Sequence, residues 1–454
     1  MVGERGGGAR RCLVLGAGFS RAVSVRMPTT DELGELATEE LSDAGVRLPP
    51  QGFKNGYFEA WLSRLAEPQP DLRDDENLHN QAWFVRLTQI LRDVLASRQE
   101  EVMAGSPPWW LRQLIGVAHR QRMTVISFNY DTLFEAAFDA SMVTDWARRT
   151  RPSAYHLIGD LPPVPVRAGT YGASPADTFR LIKLHGSVDC WWVNGDVTGA
   201  TINRYPAGAW RHGQPWPDEQ TPDQTPPGRT PFVVPPAAAK SSFYRNPVTR
   251  ELWRRAAVAL GEADRVALIG YSLPVTDLVT SGMLADRLQG RDVAVDVVNL
   301  DPAPPVAALS RLGINALAPE GSVESYVDAL EREARQAAIV ELADQPERLP
   351  ILVGTTEGNV AAVTGSTPTE QGMRLEVEAV SGSTAATRRR EPGEVTPMTV
   401  SDVRRTLRED GGLYVQFPDG HEAGVIGWAR LAMQVGSTDE WAVAILSAAP
   451  SETR

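Results

Sequence analysis

Apolar runs that stop abruptly at polar, glycine-containing clusters recur along roughly the first 330 residues, alternating with stretches of helical periodicity. Cys12 to Leu15, Met123 to Phe128, Phe179 to Leu184, Arg265 to Ile269 and Val293 to Val298 read as strands. Such runs, apolar on both faces and separated by helices, predict an α/β fold with a parallel sheet covered on both sides. The clusters that end them are Gly16-Ala17-Gly18-Phe19-Ser20, Asn129-Tyr130-Asp131, His185-Gly186-Ser187, Gly270-Tyr271-Ser272-Leu273-Pro274 and Asn299-Leu300-Asp301-Pro302. Ligands of open α/β sheets bind beyond the carboxyl ends of the strands, so these five clusters point at one site.

Between the first two strands, about residues 29 to 120, apolar positions recur at helical spacing, as in Phe58, Trp61, Leu62 and Leu65, or Phe84, Leu87, Ile90, Leu91 and Leu95. This predicts a helical insertion, opened by a capping box with Thr29 as N-cap and Glu32 reaching back. A Pro-rich excursion, about residues 195–236, is expected to be mostly irregular. Beyond residue 346 the pattern changes to short β-type runs: Ile351 to Val353, Val360 to Val363, Leu413 to Phe417, Gly424 to Ala429 and Trp441 to Leu446. Pro418-Asp419-Gly420 reads as a hairpin turn, Ser381 to Pro397 as a loop and Ser401 to Arg408 as a short helix. The expected organisation is a first domain over residues 1–330 and a small β-rich C-terminal domain over 346–454.

Composition narrows the chemistry. The chain has 454 residues, and 42% are hydrophobic and 22% charged, which is ordinary globular usage. No apolar run approaches the length of a membrane span, and the Gly- and Arg-rich start leads into a strand too short for a signal peptide, so a cytoplasmic protein is expected. Two cysteines, Cys12 and Cys190, supply neither a disulfide framework nor a four-cysteine zinc site. A net charge of -12 argues against direct nucleic-acid binding. Lys54, Lys183 and Lys240 are the only lysines, which reads as coding bias. His79, His119, His156, His212 and His421 have no partners at metal spacing and read as surface or core residues.

A Gly-Ala-Gly turn between strand and helix lets backbone N–H groups approach a phosphate. Its structural alternative is a tight turn that packs strand on helix. Arg21 replaces the third glycine of the dehydrogenase fingerprint, and no acidic residue closes a second strand at the expected distance, which disfavours a nicotinamide dehydrogenase.

Taken together, the strings GAGFS, MPTTDEL, SFNYD, KLHGS, KSSFYRNPVTRELWRRA, ADRVALIGYSLPVTD and VVNLDP resemble the Sir2-like family, in particular its zinc-less bacterial branch of NAD-consuming antiphage effectors. The resemblance covers about residues 12 to 320 and implies a Rossmann-like sheet with a helical insertion. It implies that Gly16, Ala17 and Gly18, with Ser20 close by, hold the dinucleotide phosphates, that Ser272 contacts them, and that Gly270 of the same GYS string belongs to the cofactor-binding set. Asn129 would lie beside the nicotinamide ribose, Asp131 would bind the carboxamide, and His185 would be the acid/base group. Asn299 is similar to the adenosine-ribose residue; Asp31, Asp277 and Asp301 belong to the matching strings. Each has a structural alternative: Asp131 is placed to cap the helix that follows, His185 to serve as a hydrogen-bonded structural residue, and Asn129, Ser272 and Asn299 to make turns.

The chain departs from the deacylase sirtuins in lacking their zinc cysteines and in reading Arg26-Met27-Pro28-Thr29-Thr30-Asp31 after the glycine loop. Water thereby becomes the favoured nucleophile. The resemblance thus implies an NAD+ glycohydrolase yielding nicotinamide and ADP-ribose, with NAD+ as substrate and no metal, serving antiphage defence as a homo-oligomer. Its trigger would be phage-derived or operon-encoded, and its C-terminal domain would regulate it. The alternatives are a protein deacylase or ADP-ribosyltransferase, and a non-enzymatic NAD or ADP-ribose sensor.

Overall fold

The computed structural model describes residues 10–39, 41, 57–140, 178–193, 196, 198–204, 208–211, 228–234 and 246–344, together with seven C-terminal strands. Among the described residues, one sheet contains β1 (Arg11–Leu15), β2 (Thr124–Ser127), β3 (Arg180–Lys183), β7 (Arg265–Ile269), β8 (Ala294–Val298) and β9 (Ala316–Leu317). All pairings in it are parallel, in the order β3-β2-β1-β7-β8-β9. Counted along the chain these strands lie 3-2-1-4-5-6, the Rossmann-like doubly wound arrangement. The order reverses between β1 and β7, and the crevice beyond their carboxyl ends is the topological switch point.

The apolar runs are continuous because each strand feeds two cores. Leu13, Leu15, Val125, Leu181, Ala267 and Ile269 pack on one face. Against them lie α1 (Ala17–Val23), α2 (Thr30–Glu39), α3 (Tyr57–Ala66), α4 (Asp74–Met103), α5 (Trp109–Arg120), α6 (Leu133–Ala140) and α10 (Val323–Asp344). Cys12, Val14, Ile126, Ile182, Val266 and Leu268 pack on the other face, against α7 (Pro247–Glu262), α8 (Leu278–Leu288) and α9 (Ala303–Arg311). A one-residue slip of β1 would exchange Leu13 with Val14 between the cores, so register is tightly specified.

The expected insertion is α2 to α5, joined to the first core through Leu33, Phe58, Leu62, Leu87, Leu91 and Leu114. Half of the capping box is present: Glu32 accepts from the Thr29 amide at 2.8 Å. The Thr29 hydroxyl donates to the same carboxylate at 3.0 Å. α10 runs past residue 330 to Asp344, with Ala334 in the core.

The Pro-rich excursion is less irregular than its composition implies. β4 (Gly186–Trp192) begins directly after His185 and is flanked by β5 (Asn203–Arg204) and β6 (Thr230–Val233) in an antiparallel sheet. Ile202, Trp210 and Val234 of the excursion are buried as well, and its residues 195, 197, 205–207, 212–227 and 235–236 lie outside the described residues.

In the C-terminal region β10 (Leu352–Thr355), β11 (Val360–Thr369), β12 (Gly372–Val380), β13 (Val400–Leu407), β14 (Leu413–Gln416), β15 (Glu422–Gly424) and β16 (Trp441–Ala444) form an antiparallel sheet, ordered β15-β14-β13-β12-β11-β10-β16. The short helix expected over Ser401 to Arg408 is therefore corrected: the segment is β13. It pairs with β14 from Arg404↔Gln416 to Leu407↔Leu413, and cross-strand pairing overrides a weak local helical preference. β15 ends where the expected Gly424 to Ala429 strand was to begin. The expected turn at Pro418-Asp419-Gly420 and loop at Ser381 to Pro397 lie outside the described residues. Among the described residues no helix is long and apolar enough to cross a membrane.

Both cysteines are buried, and burial pushes the Cys12 thiol up to about 12. Because the thiolate is the reactive form, native protein at pH 8 should give no fast reaction with an aromatic disulfide reagent. Both thiols should react after denaturation. A rapidly titrating thiol in the native state would contradict this packing.

Candidate functional site

Two loops meet at the switch point without room for side chains. The Gly16 amide donates to the Ile269 carbonyl at 3.1 Å and the Gly18 amide to the Gly270 carbonyl at 2.9 Å. A Cβ on Gly16 would lie 2.6 Å from the Gly270 oxygen, and one on Gly18 would lie 2.8 Å from the Gly270 Cα. Gly270 has φ +62°, and a Cβ there would lie 2.0 Å from the Phe19 nitrogen. The glycines are thus demanded by loop-to-loop contact, whatever ligand lies above them. Ala17, at the first position of α1, is only half-buried.

From this junction a chain of hydrogen bonds runs to the end of β2. Asn129 Nδ2 donates to the Gly16 carbonyl and to Ser20 Oγ, both at 2.9 Å. The Ser20 hydroxyl donates to Asp131 Oδ2 at 2.6 Å. Asp131 Oδ1 accepts from the Leu133 amide at 3.1 Å, capping α6. Asn129, Asp131 and Ser20 are 8%, 7% and 3% exposed, so the chain is nearly sealed and its geometry is set by these few partners. Asn129 Oδ1 accepts no hydrogen bond from the described residues and is the one amide atom left for another molecule. Asp131 both caps a helix and joins the cluster.

His185 occupies the turn between β3 and β4, where Gly186 has φ +75° and a Cβ would collide with the Phe232 carbonyl at 2.0 Å. Its ring is walled by Phe128, 5.0 Å away at 68°, by Tyr130 at 6.3 Å and by Trp253 of α7 at 6.3 Å. Phe128 stacks in turn on Tyr271, at 4.6 Å and 10°. The Tyr271 hydroxyl donates to Asp277 Oδ2 at 2.8 Å, and Asp277 Oδ1 caps α8 through the Thr280 amide at 3.3 Å. Burial first, and then the Asp277 charge, raises the Tyr271 phenol well above its ordinary range, so it stays a donor. Asp277 therefore serves the walls of the site.

The remaining candidates lie further out. Ser272 is exposed, and Leu273 beside it is a buried non-glycine residue at φ 49°. Asn299, half-buried after β8, accepts from the Leu300 amide at 2.9 Å. Asp301 is exposed and accepts from the Ala303 amide at 3.3 Å. Asp31 sits in the first turn of α2, whose neighbouring Glu32 pairs with Arg21 at 3.1 Å. His119 is buried with Nδ1 2.7 Å from Thr178 Oγ1, and His79 accepts from Trp83 at 2.8 Å. Among the described residues no group of His, Cys, Asp and Glu could hold a metal ion.

Sequence reasoning missed several residues that shape the site. Gln99 of α4 is 2% exposed and accepts from the Thr132 amide at 2.8 Å and its hydroxyl at 3.2 Å, so the insertion buttresses the residue after Asp131. Glu59 of α3 accepts from the Thr276 hydroxyl, beside Asp277. Lys183, set aside as coding bias, ends β3 in a nearly buried ion pair with Glu135 at 3.0 Å and donates to the Asp131 carbonyl. A rare lysine at the inner end of the strand run Phe179 to Leu184, whose other charged residue, Arg180, is exposed at the outer end, was the available signal.

No family model matches the chain, and no curated protein matches it. A crystal structure of Sir2 in complex with the inhibitor EX-527, 2'-O-acetyl-ADP-ribose and a deacetylated p53 peptide aligns with 71% of this chain and 93% of its own length. Sequence identity is 13% and the TM-score 0.32. The chemistry of the site rests on the residues above, not on that alignment. What fold and site define is a doubly wound α/β protein with a polar cluster buried at its switch point.

The glycine junction makes a contrast testable by denaturant titration. Gly270→Ala should destabilise the protein, since strained backbone alone costs about 1–3 kcal/mol and the overlap with Phe19 adds to it. Gly282→Ala, within α8 where a Cβ meets nothing within 4 Å, should be neutral or stabilising by about 0.5–1 kcal/mol.

Proposed function

We propose that the protein binds NAD+ at the β1–β7 switch point and hydrolyses its nicotinamide–ribose bond, releasing nicotinamide and ADP-ribose. One observation carries this reading. The Asn129–Ser20–Asp131 hydrogen-bond chain lies at the reversal of a 3-2-1-4-5-6 sheet, where doubly wound folds bind dinucleotides.

Cleavage passes through an oxocarbenium-like ribose. The C1′–N bond breaks with its electron pair leaving on nicotinamide, which departs neutral; a water oxygen adds to C1′ and one proton is released. Such a reaction needs a held leaving group, an oriented nucleophile and a base. Asn129, with Nδ2 fixed, presents Oδ1 as an acceptor that orients the water or a ribose hydroxyl. Asp131, with each oxygen accepting one hydrogen bond, retains lone pairs for a carboxamide N–H. His185, held among aromatic rings that exclude bulk water, takes the proton. Ala17, Gly18, Ser272 and Asn299 would line the dinucleotide, and Gly16, Gly270 and Asp277 shape the walls that hold it.

On this reading the enzyme is a cytoplasmic antiphage effector that acts as a homo-oligomer, its C-terminal residues 346–454 holding it silent until a trigger arrives; the sequence resemblance supports this role. One observation favours a second reading, a non-catalytic NAD or ADP-ribose sensor: the Asp131 carboxylate is already engaged by Ser20 and Leu133.

The test is NAD+ loss and product chromatography, with and without lysate from infected cells, for wild type, Asn129→Ala and His185→Ala. Wild type should yield nicotinamide and ADP-ribose, and each variant should lose about 10²–10⁴ in rate. ADP-ribose delivered to a protein acceptor would replace hydrolysis with transfer. Binding of NAD+ without turnover in any condition would favour the sensor, and absence of both would overturn the reading.

A further inference from the structure

Lys183 is an unusual residue in this chain. It is one of three lysines, its side chain is 14% exposed, and its partner Glu135 is 3% exposed at 3.0 Å. A stabilising surface charge has no reason to be there, since desolvating two ions offsets most of their attraction. What the pair does is tie three segments. Lys183 is the last residue of β3, two positions before His185, and Glu135 lies in the first turn of α6. The ammonium also donates to the carbonyl of Asp131. Register reinforces the link: Ser127 pairs with Lys183, and the Leu184 amide donates to the Ser127 carbonyl at 3.0 Å.

A continuous path follows. Lys183 holds the Asp131 backbone, Asp131 Oδ2 accepts from Ser20, and Ser20 Oγ accepts from Asn129 Nδ2, which also donates to Gly16. Backbone bonds such as Val188 N–H to the Tyr130 carbonyl at 2.9 Å join the same segments, and the cation adds the link that reaches Asp131 itself from the strand end that carries His185.

We propose that Lys183 is a positioning residue for the switch-point site: paired with Glu135, it holds the Asp131 backbone so that Asn129 and Asp131 face the ligand in register with His185. The inference rests on the NAD+ glycohydrolase reading and goes beyond it by assigning a residue that touches no substrate.

The experiment compares full-length wild type, Lys183→Arg, Lys183→Met and the double variant Lys183→Met/Glu135→Leu. Each is measured for melting temperature, NAD+ affinity by calorimetry, and kcat and KM. Removing the cation should lower kcat by about 10–100-fold, with KM changed much less, because sub-ångström misplacement acts on the reacting geometry. The double variant, which removes both charges of the pair together, should recover melting temperature relative to Lys183→Met but not kcat. Lys183→Arg should restore part of kcat. Recovery of kcat together with melting temperature in the double variant would reduce the pair to a structural bond and overturn the inference, as would wild-type kcat in a folded Lys183→Met protein. If Lys183→Met does not fold, the double variant decides alone. An inert wild type that does not bind NAD+ would overturn the functional reading and this inference with it, whereas an active wild type with indifferent variants would overturn the inference alone.

Discussion

The site depends on two loops touching at backbone distance. Gly16 and Gly18 after β1 lie against Gly270 after β7, and each would need its neighbour to move if it carried a methyl group. That contact closes the floor of the crevice where the strand order reverses. It also fixes the start of α1, and so Ser20, whose hydroxyl is the centre of the polar cluster. A glycine loop of this kind is commonly read as making room for a phosphate. Here the loops make room for each other first, and any ligand binds above a surface whose shape the protein has already set.

Several side chains do two jobs, and this explains why structural and functional readings of the same residue both fit. Asp131 caps α6 and accepts from Ser20; Asp277 caps α8 and accepts from Tyr271. A cap stabilises a helix by about 1 kcal/mol, which is modest. Its greater consequence is placement: a carboxylate that must satisfy a helix amide cannot rotate away from the crevice. The helical insertion adds constraint through Gln99 and Glu59, which reach the residues adjoining those two aspartates, at Thr132 and Thr276.

Much of the α/β sheet was legible in the sequence because buried parallel strands leave long apolar runs, each ended by a change of chemistry. Strand boundaries moved by a residue or two, as from Met123–Phe128 to β2. β4 was hidden because its outer partners come from a Pro-rich segment, where composition argues for irregular chain while non-local pairing makes strands. β13 was misread as helix for the same reason: its state is decided by β14, not by its own residues. Candidate residues near one another at strand ends were legible from motif order, but their mutual hydrogen bonds were not. Nothing local in the sequence says that Asn129 donates to Gly16 or that Gln99, thirty-three positions upstream, caps Thr132.

Lysine shows where composition misleads. Three lysines among many arginines read as a bias of the coding sequence, and for the chain as a whole that account is sufficient. It fails at position 183, because arginine and lysine are not interchangeable in a tight pocket. A compact ammonium can pair with Glu135 and donate to the Asp131 carbonyl from one point, whereas a planar guanidinium needs a broader, flatter set of acceptors. A chain that carries nearly all its positive charge on arginine and yet places one of its three lysines at this junction is specifying geometry, and that geometry joins the strand bearing His185 to the loop bearing Asn129 and Asp131.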